Sequence, residues 1–374
     1  MEKLQEHLLF LSAYWLIFWW KFLENPYLLS TSEIASTYFP FWLWMGKKWQ
    51  AKDDIYYKYP ACIPFLSMWY WPSVLVSKLS KHLSLNIALK LYSYFILSHY
   101  LLASFIAYKV IGLFGAITLT YAGYCIKPQT PSFVYTMTWI PGMMVGGWFG
   151  AFSCFMAFTG GYWPILVYVM PVMAIINPLC LLGLIPALIQ IIPFLWYWPK
   201  SVRAKEKIDR KFGRLPWWKL KDLVWPTNSV NTTNGVHYPE VAMYMGIAPF
   251  LIWHQSVWVL SLVVSLGIVC GALLNIQRIP CRALYLLTFS LTLLSVECDK
   301  ATLQVLLFPQ LFLLLQNNSI YPSFPFSQWW NKPSLLYSKY SDKDKWPHFT
   351  GYLDGRKTNG YQGAFRLSES YSAN

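Results

Sequence analysis

Few residues in this chain have the type and setting to do chemistry, and Glu33 is foremost among them. Its carboxylate follows an apolar run by only a few residues and precedes Tyr38-Phe39-Pro40-Phe41, Trp42 and Trp44. A second aromatic-proline run closes the stretch at Pro72. Rings and prolines at this density suit a loop lying in the headgroup layer of a bilayer. There a carboxylate meets water, lipid headgroups and a nonpolar wall together. Asp53 and Asp54 could hold a metal or act as a base, but Lys52 and Lys58 flank them and favour a solvated, salt-bridged face. Lys200 and Arg203 follow Trp196-Tyr197-Trp198, a setting that serves phosphate binding and plain interfacial anchoring equally well. His237 and Glu240 bracket Tyr238-Pro239; they could share a pocket, although a surface turn is the simpler assignment. His99 and His254 fall in or beside apolar runs with no acid nearby in sequence, the pattern of satisfied interior histidines. No Walker A, H-E-x-x-H, G-x-S-x-G or dinucleotide-binding glycine pattern occurs, so those chemistries have no support.

The elements that must position these groups are apolar. Of 374 residues, 12% are charged, 56% hydrophobic and 19% aromatic, and the mean hydropathy is +0.36. A soluble domain carries about a quarter charged residues, so the composition predicts an all-α, polytopic membrane bundle. The net charge of +14 and a pI near 9.3 would suit nucleic acid, yet no nucleic-acid-binding motif accompanies the basic residues. They concentrate between apolar runs and in the tail, where attraction to anionic lipid headgroups or a phosphorylated lipid explains them. The partners expected are membrane lipids, with no nucleic acid. Seven scattered cysteines form no C-x-x-C pair or zinc spacing and read as small hydrophobes.

Along the chain, Leu8–Trp20 lies between Lys3 and Lys21, with no small-residue cleavage site after it, and reads as an uncleaved anchor. An interfacial loop over 24–72 and a short interfacial helix over 74–83 come next. Leu85–Ile111 is long enough to cross, and Gly112–Ile126 forms a shorter piece. From Phe133 to Asn177 the apolar run is broken by Pro141-Gly142, Gly146-Gly147, Gly160-Gly161, Pro164 and Pro171. Broken helices at membrane depth must be shielded by protein. Leu179–Trp198 reads as a span interrupted by Pro186 and Pro193. After the basic polar loop 199–240, further spans are expected at 241–253, 257–275, 283–296 and 301–315. Residues 1–316 thus form one membrane domain, and 317–374 a polar tail with a hairpin signal at Asp354-Gly355 and Asn359-Gly360. Whether Phe133–Phe158 makes one crossing or two decides if the loops at 24–72 and 199–240 share a side.

In order along the chain stand the acid after the first span, Tyr38-Phe39-Pro40-Phe41, Gly160-Gly161-Tyr162-Trp163-Pro164, Pro186–Pro193, Ser201-Val202-Arg203, and Pro239-Glu240 through Tyr244-Met245-Gly246. This series, over roughly the first two thirds of the chain, resembles bacterial YfhO-type polytopic membrane proteins, which are similar to GT-C-fold glycosyltransferases. The chain departs from them in being short and in carrying Glu33 where aspartate is usual. The resemblance implies a multi-pass protein of the bacterial inner membrane that moves a sugar from a polyprenyl-phosphate carrier to an envelope acceptor hydroxyl. It implies Glu33 as the base that deprotonates the acceptor. Tyr38, Lys200, Arg203, His237 and Glu240 would bind substrate, with the cations steadying the departing phosphate. No cofactor is called for, and a divalent metal is left open. Two alternatives stand beside it: a lipid or polysaccharide transporter, and a non-catalytic protein that keeps the scaffold.

Overall fold

The computed structural model describes residues 2–24, 85–124, 131–160, 163–197, 215–224, 257–269 and 283–294. Among these the secondary structure is helical throughout, without a strand. Helix α1 spans Glu2–Glu24 and α2 Leu85–Tyr124; α3 spans Pro131–Trp139, α4 Trp148–Thr159 and α5 Trp163–Ile176. Helix α6 covers Leu184–Tyr197, α7 Val257–Val269 and α8 Leu284–Leu294. Short 3-10 turns occupy Pro141–Met144, Pro178–Gly183 and Trp217–Leu223. The expected interfacial loop, the 74–83 helix, the spans at 241–253 and 301–315 and the tail lie outside the described residues.

Helix α1 extends a few residues past the apolar run at each end and lies antiparallel on α2. His7 Nδ1 sits 3.1 Å from Tyr108 Oη near one end, and Tyr94 Oη donates to the Leu23 carbonyl at 3.3 Å near the other. Leu11, Trp15, Leu97 and Tyr100 are buried along this pair of helices. Helix α2 runs through 40 residues but turns at Gly112, with φ 74° and ψ −177°. That conformation is essentially confined to glycine. The division expected at Gly112 is therefore present as a kink.

From residue 131 onward the chain folds as short pieces cut where glycine and proline stand. Helices α3 and α4 form an antiparallel hairpin. Thr136 Oγ1 donates to the Ala157 carbonyl at 3.1 Å, while at the other end Gly142 lies against Ser153 and Phe149. The reversal uses the 3-10 turn at 141–144 and then Gly147, at φ 70° and ψ −152°. Both ends of the 131–160 segment consequently lie together, so it is not one straight helix. Pro164 sits in the first turn of α5, where a missing N–H is harmless. Pro171 lies inside that helix and cannot donate to the Val167 carbonyl. The Leu179–Trp198 region differs from expectation. Its helix runs through Pro186 and Pro193, and the interruption comes earlier, in the 3-10 turn at 178–183.

That turn packs most intimately on α4. A Cβ on Gly183 would collide with the Ala151 carbonyl and come within 2.9 Å of Cys154 Cβ. Helices α7 and α8 pair through buried serines: Ser261 and Ser290 Oγ are 2.7 Å apart, and Ser265 and Ser290 each donate to a carbonyl one turn back. Such small, self-satisfied hydroxyls let helices approach closely. Helices α3 through α8, at 9 to 14 residues, reach roughly 14–21 Å at about 1.5 Å per residue. No helix among the described residues is long and apolar enough to cross a membrane.

Candidate functional site: a clamped helix break beside an apolar groove

Glu33, Tyr38, Lys200, Arg203, His237 and Glu240 all lie outside the described residues, as do Asp53, Asp54 and His254. His99 is described, and it takes the bland assignment. Its Nδ1 is 2.9 Å from the Phe95 carbonyl, and its ring packs on Phe95 and Tyr135 at 4.4 and 5.2 Å between centroids. Gly160 has ordinary helical φ and ψ; what it supplies is room, because a Cβ there would meet Thr136. Close helix approach, rather than a glycine-only turn, explains that residue.

The polar centre that the described residues do build is at Asn177. Its backbone links α5 to the 3-10 turn, donating to the Met173 carbonyl at 2.8 Å and accepting from Cys180 N–H at 3.0 Å. Its side-chain Nδ2 donates to the carbonyls of Met143 (2.7 Å) and Val145 (2.8 Å), in the unwound tip of the α3–α4 hairpin. Both Nδ2 protons are thus used on carbonyls that a continuous helix would have satisfied itself. Gly150 makes the approach possible, since its Cβ would fall 2.7 Å from Asn177 Nδ2. Just past the tip, Trp148 is 83% exposed and Phe149 is exposed beside it. Asn177 was not singled out from the sequence. Asn177-Pro178 marks a turn, but nothing in the sequence announces which distant carbonyls the amide serves.

Against α5 and α6 lies an open groove of about 490 Å³. Phe158 of α4, Val167, Met170 and Pro171 of α5, and Leu184 and Ile191 of α6 line it. A wall of this kind accepts hydrocarbon and offers nothing to a charged group. The nearby thiols of Cys154 and Cys180 are free and buried. Ser153 Oγ, Tyr168 Oη and Gln190 Oε1 are buried without a hydrogen-bond partner. Among the described residues no group of three or more His, Cys, Asp or Glu is placed to hold a metal ion.

The faces of α4 and α6 are sorted in a particular way. On α6, Ile185, Leu188, Ile189, Ile192 and Leu195 point outward and are exposed, whereas Ala187 and Gln190 are buried. On α4, Trp148, Phe149 and Phe152 are exposed, and Gly150, Ala151, Ser153, Cys154 and Ala157 are buried. Large apolar groups face out; small and polar groups face in. From Pro128 to Pro199 the sequence has no Asp, Glu, Lys, Arg or His. Compared with known proteins, the chain matches no family model, no curated protein and no solved structure.

Proposed function

We propose that the chain is a multi-span protein of a bacterial inner membrane that transfers a sugar from a polyprenyl-phosphate carrier to an envelope acceptor. The inverted sorting of α4 and α6 carries the membrane part. Water drives large apolar side chains inward, but hydrocarbon exerts no such force, so a helix in lipid turns its large side chains outward and packs through small ones. A run of uncharged sequence from 128 to 199 fits the same solvent. Short helices suffice in it because α3 and α4 form a re-entrant hairpin whose loose carbonyls are held by Asn177, which is the condition for broken backbone at membrane depth.

For the transfer itself, the support is chemical fit. A hydrocarbon-lined groove suits the tail of a lipid carrier. Lys200 follows the last residue of α6 by three positions, so a phosphate held there would extend from a tail lying along that helix. Glu33, nine residues beyond α1 in sequence, would serve as the base. Glu33→Gln and Arg203→Ala should each reduce the sugar-modified envelope product by about 100-fold, the usual worth of a positioned acid–base group, while lipid-linked donor accumulates and the protein stays at wild-type abundance. Unchanged glycans and donor pools in both variants would leave a membrane protein without this activity. The clamped hairpin also favours a transporter as a second reading, because broken helices surround the substrate sites of many transporters. In that case the two variants would alter movement of the lipid across the bilayer and leave its sugar in place.

A further inference from the structure

The 3-10 turn Trp217–Leu223 has no part in the site above, yet it displays an unusual surface. Pro216 enters it extended, at φ −60° and ψ 135°, and the Lys219 N–H bonds back to the Pro216 carbonyl at 2.9 Å. Trp217 is 78% exposed and Trp218 47% exposed, while Leu215 and Leu223 are buried. Residues three apart eclipse in a 3-10 helix, so Trp218 and Lys221 share a face, and both are exposed. Lys219 is buried, and its Nζ lies 5.6 Å from the Trp218 ring centroid, which braces the indole from one side. Two exposed indoles and an exposed lysine thus stand on one short turn. The chain leading to and through it is basic: Lys200 to Leu223 hold nine Lys and Arg against Glu206, Asp209 and Asp222. The uncharged stretch ends at Pro199, immediately upstream.

From this combination we infer that the Trp217–Leu223 turn is an anchor for anionic phospholipid headgroups, its indoles entering the interface and Lys221 meeting phosphate. Tryptophan favours the headgroup layer because it has an apolar body and one N–H donor. Anionic lipid supplies the opposite charge, and the basic approach from Lys200 strengthens the local attraction. The inference rests on the membrane placement above and is independent of Glu33 and of any sugar transfer.

The test uses the full-length protein reconstituted in vesicles of phosphatidylcholine, with or without phosphatidylglycerol, and follows amide hydrogen exchange. Amides of 215–224 should exchange several-fold more slowly in the phosphatidylglycerol vesicles, and high salt should shrink the difference. Lys221→Gln should cut the protection about fivefold, the worth of one lysine near an anionic surface. Trp217→Ser with Trp218→Ser should abolish it, while exchange in 148–159 stays unchanged as evidence of an intact fold. Equal exchange in the two vesicle types would overturn the proposal. So would protection that survives in the double tryptophan variant, since the basic run alone would then account for it.

Discussion

Asn177 shows how much can rest on a single amide. Removing it leaves the buried Met143 carbonyl and the half-buried Val145 carbonyl without their donor, a buried loss being worth about 1–3 kcal/mol. Asn177→Ala should therefore destabilise the hairpin by about 2–4 kcal/mol, read as a lower thermal midpoint in detergent. Asn177→Asp should be worse, because a carboxylate offers those carbonyls only acceptors. Gly183→Ala should be comparably damaging for a different reason. Its Cβ would strike the Ala151 carbonyl, which is backbone and cannot rotate away. Gln190→Leu should be neutral or stabilising, since it removes a buried Oε1 that has no partner. At this scale the sequence was least informative. Cys154 could be assigned a small, buried role from its apolar neighbours in the chain. The Asn177 clamp could not, because its acceptors lie 34 and 32 residues away.

Among the helices, the breaks were legible and the faces were not. Gly112, Pro141-Gly142 and Gly146-Gly147 each mark an interruption that the structure contains, for they act through local backbone geometry. Pro186 and Pro193 misled: Pro186 falls in the first turn of α6, and the helix continues through Pro193. The outward face of α6 was hidden because Leu184–Tyr197 is apolar nearly all round, and only neighbouring elements decide which side is covered. That face makes a sharp prediction. Ile189→Lys places a charge where a bilayer would resist it by about 2.5–3.5 kcal/mol, so the variant should accumulate poorly in membranes. In a water-soluble protein the same change at an exposed position would be tolerated within about 0.5 kcal/mol. Quantifying the protein in the membrane fraction distinguishes the two.

For the whole molecule, composition predicts the solvent, and the helices explain how short pieces could occupy it. The outward sorting of large apolar groups belongs to α4 and α6; the α1–α2 and α7–α8 pairs bury large aliphatics as well, among them Leu11, Leu97, Leu286 and Leu291. The acid and cations assigned to chemistry occupy the segments between those elements, outside the described residues. What the sequence offers there is the order of motifs and the resemblance they carry. Membrane residence requires above all that the outward face of α4 and α6 meets hydrocarbon. A nitroxide side chain incorporated at Ile189 of the full-length protein in lipid vesicles, probed by power-saturation electron spin resonance, reads that directly. High accessibility to dissolved oxygen with little to a water-soluble nickel complex is the result predicted. Free access to the nickel complex would place α6 in water and contradict the membrane assignment together with the function built on it.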